Sequence, residues 1–307
     1  MSRRRNRNNS ESKQQSRRID PQTPQPETKK EDERDGVVAL RFGSRNPFNS
    51  FTSYVIRGQK HVLVDPGPPG RAGELLEQLS RQRISLGDIG LIVITHGHAD
   101  HFGSAAQLKE WTRAPVAVHE LDAEYVHWGD APVLKPATRL GTIFRSFAKV
   151  KSVPVEPDII LRDGDKLGRY GGRGRVILTP GHTAGSISIL LPDGMCIIGD
   201  LLMRGLRASS PSYPWFAEDL SQVRESLRRI VSSGATTLLP SHGAPYSVAD
   251  LQKVFPWLEV GEQESTPPEA SERGPRRPRR RRRHPKREGQ GQDGPRGESA
   301  PPGPSGP

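Results

Sequence analysis

One cysteine, Cys196, stands in 307 residues, so no intramolecular disulfide can form. Aromatic residues are only 6% of the chain, and both ends lack them. Residues 1–35 contain no Phe, Trp, Tyr, Leu or Val and a single Ile, and residues 262–307 contain no aromatic and no Leu, Ile or Val. Neither stretch can bury enough apolar surface to offset its chain entropy, so both are expected to be disordered. The chain thus reads as a polar N-terminal tail over 1–35, a folded domain over 36–261 and an Arg/Pro/Gly-rich tail over 262–307. The middle part, about 225 residues, is long enough for one sizeable core. No apolar run approaches the roughly 18–20 residues of a membrane span. The basic, polar N-terminus has no apolar leader segment. No membrane association is expected, and the expected location is the cytoplasm.

The net charge of +11 is unevenly spread. Residues 36–261 hold 25 Lys and Arg against 21 Asp and Glu, a net of only +4. The densest basic run is 273–287, with ten Lys or Arg and no acid. A run of this kind reads first as a solvated low-complexity extension, or else as a salt-sensitive tether for nucleic acid or another polyanion. It has no interleaved aromatics, so base stacking is not expected.

Histidine is where the sequence is rich. Nine occur, and three fall within positions 96–101: Thr95-His96-Gly97-His98-Ala99-Asp100-His101. The preceding Gly90-Leu-Ile-Val-Ile-Thr95 is short, apolar and β-branched, as in a buried strand. Residues 103–112 read as a helix. The motif therefore sits on a strand-to-helix loop. His96 and His98, two apart, project to one side of an extended segment. Asp100 and His101 fall at the helix entrance, where a carboxylate is favoured. Imidazole and carboxylate are ligands for zinc and similar divalent ions.

Further apolar strands end in comparable residues. Val176-Ile-Leu178 leads to His182, Met195-Cys-Ile-Ile198 to Gly199-Asp200, and Thr236-Thr-Leu-Leu239 to His242. The gaps from His101 onward are 81, 18 and 42 residues. An earlier hairpin, 53–57 and 61–64, runs into Asp65 beside Pro66 and Gly67, which reads either as a turn residue or as a carboxylate that orients a ligand histidine from behind. Amphipathic helices are expected at 71–83, 219–233 and 247–257. Strand ends are where a layered α/β scaffold presents chemical groups.

Other features read as structural. His119 and His127 lie outside the pattern and are expected at the surface or in packing. Cys196, inside a strand, is expected to be buried and inert. Ile159-Ile-Leu161, Asp163-Gly-Asp165 and Lys166-Leu167 read as strand, turn and strand, with the glycine-rich 168–174 as a hairpin tip. That tip lacks the Lys-Ser/Thr ending of a phosphate loop. In 129–152, Leu140, Phe144 and Phe147 stand at helical spacing, as in a helix packed on the core or an active-site lid.

The His-x-His-x-Asp-His stretch, with Gly-His182, Gly-Asp200, His242-Gly and the early Asp65, resembles the metallo-β-lactamase-fold hydrolase superfamily. The resemblance covers about 37–258 and implies a four-layer αββα sandwich with metals at one edge of the two sheets. By that resemblance His96, His98 and His182 hold one ion, Asp100, His101 and His242 hold a second, and Asp200 bridges them. The implied cofactors are two divalent ions, zinc first, with manganese or iron(II) as alternatives. Asp100 and Asp65 are the carboxylates expected to serve catalysis. Seven such side chains exceed what one tetrahedral zinc accepts, while two ions can share them and lower the pKa of a water towards about 7.

Within the superfamily, Asp200 together with His101 argues against a β-lactamase, and His98 argues against the flavodiiron oxidoreductases. Glyoxalase II, the lactonases and the small ribonucleases share the ligand set. Only about 20 foldable residues follow His242, so a glutathione thioester is not expected. Persulfide dioxygenases, which bind one iron, are disfavoured by His242. The expectation is a dinuclear hydrolase of a small ester, thioester or lactone. The alternative is a phosphodiesterase or ribonuclease that recruits nucleic acid through its basic tails.

Overall fold

The computed structural model of the chain describes residues 36–43, 50–130, 135–144, 151–205 and 210–259. Both expected tails lie outside these residues. Two sheets carry the fold. The first runs β1 (Val37–Phe42), β2 (Phe51–Ile56), β3 (His61–Val64), β4 (Ile89–Val93), β5 (Val116–His119) and β6 (Ile159–Leu161), in that spatial order. β1, β2 and β3 pair antiparallel, and β3 to β6 pair parallel. The connections after β3 and β4 carry the helices α1 (Ala72–Arg81), α2 (Ala99–Phe102) and α3 (Ala105–Thr112). Crossovers of this length are what parallel neighbours require.

The helices α4 (Ala123–Trp128) and α5 (Arg139–Phe144) lie between β5 and β6. The second sheet is built from β7 (Arg175–Leu178), β8 (Ile187–Leu190), β9 (Met195–Gly199), β12 (Thr237–Pro240) and β13 (Tyr246–Ser247), with β7 and β13 at its edges. A small ribbon, β10 (Met203–Arg204) with β11 (Pro211–Ser212), and the helix α6 (Leu220–Ser232) intervene before β12, and α7 (Val248–Val254) follows β13.

Strand periodicity explains the layering. Side chains alternate between faces, and in these strands both faces are buried. Ile56, Val64 and Val93 meet Val176, Ile189 and Ile197 between the two sheets. Their neighbours Val55, Leu63 and Ile92 turn outward onto Leu75, Leu79 and Leu108 of α1 and α3. On the other side Cys196, Ile198 and Leu238 meet Val223, Leu227 and Ile230 of α6. Three apolar interfaces separate four layers, the αββα sandwich expected.

Several expectations are corrected in detail. The helix expected at 103–112 begins at Ala105, and a separate single turn, α2, precedes it and ends before Gly103 and Ser104. The Ser104 N–H donates to Gly67 O (3.0 Å) and its hydroxyl to Pro68 O (2.6 Å), so the turn after β3 captures donors that a continuous helix would use. Lys166-Leu167 is not a strand. Lys166 makes one isolated bridge to Arg175, and Leu167–Tyr170 is a 3-10 turn at the tip. His119 ends β5 and is buried, and Cys196 is fully buried. The side chains of Leu140, Phe144 and Phe147 lie outside the described residues, but Ile143 on α5 is 67% exposed. The Ala137 N–H donates to Trp215 O (2.8 Å), and the Ala217 N–H to Lys135 O (3.0 Å). The segment leading into α5 is therefore seated on the 215–217 loop.

Candidate metal centre

β3, β4, β7, β9 and β12 deliver Asp65, the 95–101 loop, His182, Asp200 and His242 to one edge of the sandwich. The edge is tied across the sheets. The Ile187 N–H donates to Thr95 O (2.9 Å), and the Thr52 N–H to Ser241 O (2.9 Å). Gly199, at φ +51°, turns the chain after β9. A Cβ there would meet Thr95 Oγ1 at 2.7 Å, so glycine lets Asp200 approach the first sheet.

All seven expected residues converge. Among the described residues, three groups place their ligand atoms within 4.8 Å of one another: His96, His98 and His182; His96, His101 and Asp200; and Asp100, His101 and His242. In the first, His182 Nε2 is 3.1 Å from His96 Nε2 and 2.8 Å from His98 Nδ1, and His96 Nε2 is 3.0 Å from His98 Nδ1. In the third, His242 Nε2 is 3.1 Å from Asp100 Oδ2. Asp200 lies between them. Its Oδ1 is 3.4 Å from His101 Nε2, and its Oδ2 is 3.7 Å from both His182 Nε2 and His242 Nε2.

The outer ring nitrogens fix the tautomers. His101 Nδ1 donates to Asp65 Oδ2 (2.8 Å), His182 Nδ1 to Phe216 O (2.8 Å) and His242 Nδ1 to Ser50 O (3.0 Å). The Thr95 hydroxyl donates to Asp65 Oδ2 (2.7 Å), which leaves its oxygen to accept from His96 Nδ1 (3.1 Å). Four Nε2 atoms are thus aimed into one volume. The facing Nε2 lone pairs of the neutral His96 and His182 rings, 3.1 Å apart, repel unless a cation lies between them. His101 Nε2 and Asp200 Oδ1 are moreover buried without a hydrogen-bond partner. A tetrahedral ion with bonds of about 2.0–2.1 Å holds its ligand atoms roughly 3.3 Å apart, close to the spacings here. The donor set fits divalent metal.

Electrostatics divides the cluster. Burial, helped by the other imidazoles, holds His96 well below the usual range and brings His98 down to about 3. His182 is lowered by burial, with Asp200 opposing. These three rings are neutral. At His101 and His242 burial also acts downward, but Asp200 with the other nearby carboxylates prevails. His101 is raised well above the usual range and His242 to about 9. Burial pushes Asp100 and Asp200 upward, and the surrounding imidazoles overcome it and hold both carboxyls below the usual range. Without an ion, this half gathers protons instead.

Asp65 sits behind the cluster, fully buried, at φ +52°, a conformation rare outside glycine. Its Oδ1 accepts the Thr95 N–H (2.7 Å), and Ser241 Oγ reaches its Oδ2 at 3.4 Å. His119 and His127 stay outside. His119 accepts the Leu121 N–H, and His127 pairs with Glu156. Sequence reasoning missed Asp122, fully buried and bonded to Gly97, Thr183 and Gly185. Its sequence signal was slight: it is one of three closely spaced carboxylates, with Glu120 and Glu124, just after an apolar strand.

This edge, with convergent imidazoles and carboxylates on an αββα sandwich, is that of a metal-dependent hydrolase. The chain belongs to the metallo-beta-lactamase superfamily, whose family model matches residues 45–242. It is 32% identical over 200 residues to the probable metallo-hydrolase MJ0888 of Methanocaldococcus jannaschii, covering 63% of this chain and 88% of that one. It is 26% identical over 201 residues to the probable metallo-hydrolase YflN of Bacillus subtilis, covering 60% and 75%. Among solved structures it resembles the metallo-beta-lactamase family protein TTHA1429 of Thermus thermophilus, at 25% identity and a TM-score of 0.52, over 73% and 80% of the two chains. It also resembles TTHA1623, solved in a di-iron-bound form, at 25% identity and a TM-score of 0.52, over 70% and 96%. No helix among the described residues is long and apolar enough to cross a membrane.

Proposed function

We propose that the chain is a dinuclear hydrolase of a small ester, thioester or lactone. The observation that carries the reading is the position of Asp200, whose carboxylate faces His182 on one side and His101 and His242 on the other. One ion would be held by His96, His98 and His182, the other by Asp100, His101 and His242, with Asp200 shared. When bound, such a pair supplies a water of lowered pKa and polarises the substrate oxygen. Zinc suits this nitrogen and oxygen set, and the di-iron form of TTHA1623 makes iron the second metal to test.

The protein's own groups do the rest. Four fixed ring orientations keep the Nε2 atoms directed inward, and His101 and His242 would give up a proton there to an incoming ion. Asp100, with a side chain 42% exposed, is the carboxylate of the cluster most open to solvent. It can accept a proton or a hydrogen bond from the attacking water and return it to the leaving group. The loop beside His182, Trp215-Phe216, is apolar and is hydrogen-bonded to the segment leading into α5. Such a wall suits an organic acyl group better than a polyanion.

A second reading, phosphodiester cleavage, draws on basic surface. A groove of about 650 Å³ at the end of β7 remote from His182 is lined by Lys166, Arg173 and Arg175 and by no acid. The basic run at 273–287 is a second, separate basic feature of the sequence. Hydrolysis of a phosphodiester and of a panel of lactones and thioesters by the same zinc- or manganese-loaded protein decides. Preference for the carbonyl panel supports the main reading. Preference for the phosphodiester, lost in salt and on deletion of 262–307, replaces it.

A further inference from the structure

We infer that Asp122 is the positioning residue of the three-imidazole half of the centre, as Asp65 is of the carboxylate half. The inference rests on the reading of the cluster as a metal site. Asp122 lies in the turn between β5 and α4 and is fully buried. Three donors converge on it. The Gly97 N–H reaches Oδ2 at 2.7 Å, the Thr183 hydroxyl reaches Oδ2 at 2.7 Å, and the Gly185 N–H reaches Oδ1 at 2.9 Å. Gly97 is the residue between His96 and His98, and Thr183 directly follows His182. One carboxylate therefore fastens together the two loops, one from each sheet, that present His98 and His182.

The approach is close enough to dictate sequence. A Cβ on Gly185 would stand 2.4 Å from Asp122 Oδ1, so only glycine brings its N–H onto the carboxylate. The Thr183 hydroxyl oxygen also lies 2.7 Å from Ser186 Oγ, and Ser186 Oγ accepts the Thr183 N–H (3.0 Å). The loop after His182 is thus closed on itself and anchored at one point. Asp65 serves other partners: Thr95, the His101 ring and Ser241 next to His242. Asp65 also steadies His96 through the Thr95 hydroxyl, whereas Asp122 bonds only the loops that present His98 and His182. Because Asp122 directly precedes α4, whose Tyr125 packs against Gly97, the α4 segment is anchored to the same point.

The test titrates full-length metal-free protein with cobalt(II), reading ions retained per chain and the visible absorption of each site. Wild type is expected to retain two ions. Asp122→Ala should weaken one of them by about 10–100-fold, the usual cost of losing an outer partner of a metal ligand. The other ion and its spectrum should stay unchanged. Thr183→Val, which keeps both backbone donors, should shift the same ion by less, and Asp65→Asn should weaken the other ion. Unchanged affinity and spectrum in a natively folded Asp122→Ala protein overturns the assignment, as does equal weakening of both ions. If Asp122→Ala does not fold, Asp122→Asn and Thr183→Val carry the same readouts. Wild type that retains no cobalt overturns the metal reading itself, a different result from two ions that ignore Asp122.

Discussion

The two halves of the centre are made of different chemistry. His96, His98 and His182 form a buried, all-nitrogen group whose rings are neutral without an ion. Asp100, His101 and His242 form a group that opens to solvent and holds its imidazoles protonated. On the proposed dinuclear reading the first half would keep an ion with neutral rings, and the second, whose Asp100 side chain is 42% exposed, would trade protons for one. Asp200 faces both and would be shared between the two ions.

The largest expected effect comes from removing what joins the halves. Asp200→Ala should reduce turnover to that of chelated protein while circular dichroism stays native; near-normal turnover would sink the shared-ligand mechanism. His98→Ala should do the same through the nitrogen half alone. Next is Asp65→Ala, which frees the His101 ring and leaves the Thr95 donors unpaired. Lost hydrogen bonds of this kind cost about 1–3 kcal/mol each, so a lower melting temperature should accompany a fall in activity of about 10–100-fold. A stability loss with full activity would make Asp65 purely structural.

The halves should also separate by pH. His242, raised to about 9, is protonated at neutral pH, and a cation must displace that proton. Ion uptake at the carboxylate half should therefore strengthen as pH rises from about 6 towards 9. Uptake at the three-imidazole half, where His98 is down to about 3, should be nearly flat over that window. Parallel pH curves for the two ions would erase the distinction. The smallest effect is expected at His127, a half-exposed ring paired with Glu156. His127→Ala should leave metal content unchanged and stability within about 0.5 kcal/mol of wild type.

Much of this was legible in the sequence because it is local. A β-branched run followed by His-x-His-x-Asp-His states both the strand and what stands at its end. The unbroken apolar runs at 89–93 and 195–199 state that both faces are buried. What escaped depends on residues far apart. Asp122 is a site residue only because Gly97, Thr183 and Gly185 fold onto it from 25, 61 and 63 positions away. The break between α2 and α3 is set by Gly67 and Pro68, more than 30 residues earlier. Lys166-Leu167 has strand composition, yet Leu167 turns into the core at a glycine-rich tip. Propensity cannot see these distant partners.

Hydrolysis by metal held at this one edge is tested most directly by measuring metal content and turnover on the same preparations of full-length protein: as loaded, after chelation, and after reloading with zinc. Two ions per chain are expected, with turnover that disappears with them and returns on reloading, and neither in Asp200→Ala. Undiminished turnover by chelated protein would rule out metal-dependent hydrolysis at this edge.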